Sequence, residues 1–305
     1  MKTTSSASRL IILFNFVVMI LVWGSFPVAA KIGVEHAPPL LLSGLRFSLA
    51  FCILASIVLI QRKKLAITWQ QHAQVCAISL LMVGIPGSIF FAATPYAPVG
   101  VLTVMWSTTP IFTSIFTLRD AGEVHGWKLL ASLAIGLLGV LIVLLGRFPL
   151  LPGSNGGSQL FASSGSALTG ELAVLGSAVI YGLGIRMAKH SGPDIPVLVL
   201  TTWQVFYSGA FLLAMSLLFE RGYPFDPTLT TFGALLYLAI FCSCISFFLT
   251  FWLIRHIGAI RTAYGDFIIP GVTLVLSYFL LGESLTLAKI IGLALVILGV
   301  ILVEM

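Results

Sequence analysis

Two ionisable side chains, Arg46 and Asp266, stand well inside long apolar runs of the sequence. A charge at that depth costs about 2.5–3.5 kcal/mol on membrane-insertion scales, so it is kept where it faces a cavity or a partner. At about 1.5 Å per helical residue, each lies roughly 10 Å from one end of its run. One buried cation and one buried anion suit a dipolar small molecule, with Asp266 attracting an ammonium and Arg46 a carboxylate. Trp23, Trp106, Tyr181 and Tyr264 would add apolar and cation–π contact. The competing reading is structural: Arg46 would hold a helix end or neighbouring carbonyls, and Asp266 a buried partner.

Asp266 begins a stripe. Asp266, Pro270, Thr273 and Ser277 recur at intervals of four, three and four, which puts them on one helical face. Trp106, Pro110, Thr113 and Thr117 repeat that face earlier in the chain. Two polar, proline-bearing stripes at matching places predict a shared cavity lining, and Pro110 and Pro270 predict helix breaks or gating points, since proline removes a backbone hydrogen bond.

The elements that must hold these residues are membrane helices. Of 305 residues 59% are hydrophobic and 9% charged, against roughly 25% charged in a soluble domain. Ten apolar runs are long enough to span, at about 11–31, 39–60, 75–95, 99–118, 127–146, 170–188, 196–219, 230–254, 259–281 and 285–303. Unbroken runs of this length exclude barrel strands, which would alternate in polarity. Alternate connections hold eleven Lys and Arg against four, with Arg46 left inside a span, which places both termini in the cytoplasm of a cell whose inner membrane the chain spans. The net charge of +6 is explained by that bias and implies no nucleic acid. Lys2 and Arg9, then an apolar core and Val28-Ala29-Ala30, also read as a secretory leader, but the run is long enough to span.

An internal repeat orders the spans. An offset of 160 residues aligns Pro110 with Pro270, Thr113 with Thr273 and Glu123 with Glu283, and an offset of 158 aligns Trp23-Gly24 with Tyr181-Gly182 and Arg46 with Gln204. The fold expected is all-α, with ten transmembrane helices as two inverted five-helix repeats: 1–146, a Gly/Ser-rich extracytoplasmic linker at 147–169, and 170–305. Five is odd, so the second half enters from the opposite face, the arrangement that lets a transporter exchange two states by alternating access.

With these residues the chain resembles the EamA-type branch of the drug/metabolite transporter superfamily: Pro270, Gly282-Glu283, Gly292 and Gly299 in the last two spans, and Trp23-Gly24-Ser25, Arg46-Phe47 and Pro110 in the first half. Arg119-Asp120-Ala121-Gly122-Glu123 departs from the family's tight Leu-Gly-Glu ending. The resemblance implies export of small metabolites such as amino acids across a lipid bilayer. The substrate-contacting candidates are Arg46, Trp106, Asp266, Trp23, Tyr181, Gln204 and Tyr264.

Glu123, Glu283 and Glu171 each read as an acid at the start of the next span, where it complements the helix dipole. No cofactor or metal is expected: the five histidines are scattered and no phosphate loop is present. Ala263-Tyr264-Gly265-Asp266 is similar to half of an intramembrane aspartyl protease site, but the second carboxylate that chemistry needs is missing from the spans. A proton-coupled multidrug or cation exporter using Asp266, and a non-transporting membrane protein, are the alternatives. Proton coupling and oligomeric state are open at this stage.

Overall fold

The computed structural model describes residues 6–117, 127, 131, 134–136, 138, 139, 141, 142, 164–190, 195–225, 228–263 and 265–304. Among them there is helix and no strand. We number the helices α1 (Ser6–Val34), α2 (Pro39–Ile60), α3 (Trp69–Ser79), α4 (Ile85–Ala93), α5 (Val99–Trp106), α6 (Thr109–Thr117), α7 (Ser164–His190), α8 (Val197–Phe219), α9 (Leu229–Ala239), α10 (Ser246–Ile257), α11 (Ala259–Ala263), α12 (Gly265–Leu281) and α13 (Leu287–Glu304). Among the described residues seven stretches, several joining two of these helices, are long and apolar enough to cross a membrane. The expected fifth span falls largely outside the described residues.

Two stretches carry a π turn between their halves: Leu80–Gly84 joins α3 to α4, and Ile240–Ile245 joins α9 to α10. An offset of 160 superposes the two turns, so the repeat extends to a helical irregularity that hydropathy cannot reveal. The expected fourth span is two helices, with a turn at Ser107 and Thr108 between α5 and α6. Pro110 is therefore the second residue of α6, where a missing N–H costs little, and the break precedes it. Pro270 lies inside α12, which continues past it. α1 runs without interruption through Val28-Ala29-Ala30, with Val28 and Ala30 buried in the bundle.

Hydrogen bonds between helix ends fix the up-and-down order. At one face the Lys31 ammonium donates to the Thr94 carbonyl at 2.7 Å. On that face the Glu220 carboxylate accepts from Leu40 N and Leu41 N at 2.7 and 2.9 Å, and Glu283 accepts from Val99 N and Gly100 N at 2.9 and 3.3 Å. At the opposite face Trp203 Nε1 donates to the Leu65 carbonyl at 2.9 Å, and the Arg255 guanidinium donates to the Ile195 carbonyl.

The acids correct an expectation. Glu283 does not cap the span that follows it. It caps α5, a helix of the other half, because Gly282 at φ 67° turns the chain back at the end of α12 and carries the carboxylate over the α5 N-terminus. The start of α13 is served locally, by Thr286 Oγ1 accepting from Lys289 N. Glu171 is a fully buried residue of the α7 interior rather than its first turn. Glu123 lies outside the described residues.

α2 packs along α8, α1 along α12, and α6 along α7. The aligned pair Gly24 and Gly182 lies in two of these seams. A Cβ on Gly182 would sit 2.9 Å from Thr113 N, and one on Gly24 would sit 2.5 Å from Val272 Cβ. At Gly182 the obstacle is backbone, which cannot rotate away. Gly182→Val should therefore cost about 1–3 kcal/mol through overpacking, seen as a lower unfolding midpoint in detergent than the wild type. An unchanged midpoint would mean that the α6–α7 seam is looser than described.

Candidate functional site

The site is a narrow cavity near the middle of the bundle, lined by residues of α1, α2, the first π turn, α4, α5, α7, α10 and α12. Five sequence candidates meet on it: Trp23, Arg46, Trp106, Tyr181 and Asp266. Local helix geometry explains the grouping. Trp23, Phe26 and Pro27 share one face of α1 at spacings of three and four, and all three line the cavity. A smaller cavity shares Trp23, Tyr181 and Asp266 and continues toward Ile254 and Ala259, near the α10–α11 corner.

Arg46 is 2% exposed. Its guanidinium carbon lies 4.8, 4.2 and 5.1 Å from the ring centres of Phe26, Phe47 and Phe91. Among the described residues Nε and Nη1 have no hydrogen-bond partner, and no carboxylate pairs with the side chain. The expectation that Arg46 holds a helix end or carbonyls is thus not what the structure records. Aromatic faces attract a cation by about 0.5–2 kcal/mol each without neutralising it or satisfying its N–H groups. Donors left in this condition are costly to bury, and an anion brought into the cavity would satisfy them.

Asp266 is partly exposed to the cavity. No hydrogen bond or ion pair to it is recorded among the described residues, so the buried pair expected as its structural role is absent there. Arg46 and Asp266 face one space without bonding to each other. The same space has an aromatic wall. Trp106 meets Tyr181 at 5.1 Å between ring centres and Phe90 at 6.0 Å, and Trp23 meets Phe247 at 5.0 Å with the rings at 87°. Trp23 Nε1 donates to Thr250 Oγ1 at 3.3 Å, which orients the indole.

Other candidates are placed elsewhere. Gln204, the repeat partner of Arg46, is fully buried in α8 and does not line the cavity; its Nε2 reaches Ser208 Oγ at 3.5 Å. Tyr264 lies outside the described residues. Among the described side chains the polar stripes line the cavity only at their first members, Trp106 and Asp266. Thr273 Oγ1 instead donates to the Gly24 carbonyl at 2.7 Å across the α1–α12 seam, and Ser277 Oγ donates to the Leu274 carbonyl at 3.2 Å. A hydroxyl in an apolar medium can be satisfied by a helix carbonyl, so a polar stripe does not require water beside it.

The phenyl cage of Phe26, Phe47 and Phe91 was not singled out by sequence reading. Phe47 adjoins Arg46 in α2 and Phe26 follows Trp23 by three residues in α1, but Phe91 arrives from α4, and neither it nor the approach of Phe26 to Arg46 can be read from spacing along one helix.

Comparison with known proteins is consistent along the whole chain. The model of the EamA-like transporter family matches residues 10–145 and 168–305. "Uncharacterized transporter YoaV" of Bacillus subtilis (strain 168) is 27% identical over 290 residues, covering 95% of each chain. "Uncharacterized inner membrane transporter YedA" of Escherichia coli (strain K12) is 28% identical over 288 residues, 93% of this chain and 88% of the relative. A "Probable amino-acid metabolite efflux pump" of Salmonella typhimurium is 27% identical over 301 residues, 94% and 92% of the two chains. A solved crystal structure superposes with a TM-score of 0.69 at 21% identity, over 95% of this chain and 94% of that one, and so shares the fold. With both of its helical halves matched by one family model, the chain belongs to the EamA-like transporter family.

Proposed function

We propose that the chain is a ten-span inner-membrane exporter of small dipolar metabolites, amino acids above all, working by alternating access between the halves 1–146 and 170–305 across the linker 147–169. Both termini are cytoplasmic, so the face carrying Lys31, Glu220 and Glu283 is the outer one. The observation that carries this reading is that Arg46 and Asp266 open on one aromatic-walled cavity and neither neutralises the other. A zwitterion supplies the missing partner of each. The relative whose name describes amino-acid metabolite efflux supports the cargo class.

A proton-coupled exporter of hydrophobic cations fits the Asp266 end of the cavity and the aromatic wall. It leaves Arg46 unserved, because such a cargo brings no anion to the guanidinium.

Cells overproducing the protein should survive higher concentrations of toxic amino-acid analogues than cells carrying the empty vector. Inverted vesicles should accumulate a labelled amino acid faster than control vesicles. Equal growth and equal accumulation across neutral amino acids would overturn the reading.

A further inference from the structure

Proline has no N–H to offer the carbonyl four residues earlier, and its ring crowds that carbonyl away from the helix axis. Four residues lining the cavity stand at that distance before a proline: Trp23 before Pro27, Met82 before Pro86, Trp106 before Pro110 and Asp266 before Pro270. Only Pro27 and Pro270 lie inside a continuous helix, so the carbonyls that lose a helical partner in this way are those of Trp23 in α1 and Asp266 in α12, and both residues line the cavity.

The four are not equivalent. Met82 lies in a π turn, whose hydrogen bonds run to the fifth residue on and so pass over Pro86. The Trp106 carbonyl accepts from Thr109 Oγ1 at 2.7 Å. The repeat partner of Thr109 is Ile269, which has no hydroxyl, so nothing similar serves the Asp266 carbonyl. No side-chain donor is recorded for the Trp23 carbonyl among the described residues, although that of the next residue, Gly24, takes the Thr273 hydroxyl. Trp23 and Asp266, whose carbonyls lack the fourth-residue N–H and have no recorded side-chain donor, thus line one cavity with a carboxylate that itself has no recorded partner among the described residues.

We propose that the cation end of the ligand is a primary ammonium, its N–H groups shared between the Asp266 carboxylate and the released carbonyls of Trp23 and Asp266. Resting on the zwitterion reading of the same cavity, this adds a chemical selection: three directed N–H donors are required, and a quaternary ammonium held only by aromatic faces is rejected. The adjoining Trp23, Trp106 and Tyr181 rings would favour a quaternary cation if cation–π attraction governed the site, so the two selections run in opposite directions.

The test is equilibrium binding to the purified full chain of phenethylamine, its N,N-dimethyl and N,N,N-trimethyl derivatives, and L-phenylalanine. Affinity should fall along the amine series by about tenfold or more, the worth of a charge-assisted hydrogen bond. Pro270→Ala, which returns an N–H to the Asp266 carbonyl, should weaken the primary amine several-fold and leave the trimethyl compound unchanged. A flat or rising series, or no binding by any amine, overturns the proposal even if L-phenylalanine binds. A falling series without L-phenylalanine binding would uphold the ammonium site and sink the amino-acid reading instead.

Discussion

Arg46→Met and Asp266→Asn are each expected to abolish most transport while leaving the folded protein as stable as before or more so. An arginine that braces the bundle would show the opposite pattern, since removing one member of a buried pair strands the other and costs several kcal/mol. Here Nε and Nη1 have no acceptor and the charge no counter-ion among the described residues. Methionine keeps the stem that packs against Phe26, Phe47 and Phe91 and discards the uncompensated charge. Burial of that charge is a cost in the empty protein, and it is repaid only when an anion arrives. Loss of one charge-assisted contact is worth about 1.5–3 kcal/mol, or roughly ten- to hundredfold in uptake by inverted vesicles at low substrate. The measurement pairs that uptake with thermal unfolding in detergent. Normal transport in both variants would remove the two charges from the mechanism, and a clear fall in the unfolding midpoint would make them structural.

The carboxylates at the helix ends should behave in the reverse way. Glu220→Ala removes the acceptor for Leu40 N and Leu41 N and for Ser216 Oγ, which donates at 2.8 Å. Glu283→Ala strips the first turn of α5, where Val99 N and Gly100 N lose their partner. Loss of a helix cap costs about 0.5–2 kcal/mol, and a carboxylate adds roughly 0.3–1 kcal/mol by opposing the helix dipole. Both sites are partly wet, so water recovers some of this. A lower unfolding midpoint is expected in each variant, larger for Glu220, which serves three donors, with glutamine restoring part of the loss. An identical midpoint for Glu220→Ala would show that the contact contributes nothing.

These two outcomes divide the ionisable residues by what surrounds them. Glu220 and Glu283 are satisfied by the protein and hold helices of one half against the other. Arg46 and Asp266 have no such partners recorded among the described residues, and the proposed zwitterion would supply one to each.

Much of this was legible without coordinates. Apolar runs near the thickness of a bilayer name a membrane protein, because a helix there must bury its own backbone bonds and little else is permitted. The offset repeat, the depth of Arg46 and Asp266, and the aromatic pair Trp23 and Tyr181 followed from counting along the chain, since duplication conserves spacing. The family could be named from the same residues. Five of the candidate residues meet on one cavity.

What counting could not supply was contact between helices. Gln204 shares the repeat position of Arg46 yet is buried away from the cavity, because a duplicated position keeps its depth and not its neighbours. Thr273 looked like cavity lining and is bonded to Gly24 of α1. Glu283 was assigned to the helix next in sequence, and a glycine in the left-handed region turned it onto α5. Periodicity along one helix fixes which residues share a face. Which other helix that face meets is decided by packing among many helices of nearly equal hydrophobicity, where small side chains, π turns and proline positions choose the partner. The sequence therefore determined the medium, the repeat and the depth of the two charges, and the tertiary structure decided that those charges open on one space with no partner recorded among the described residues.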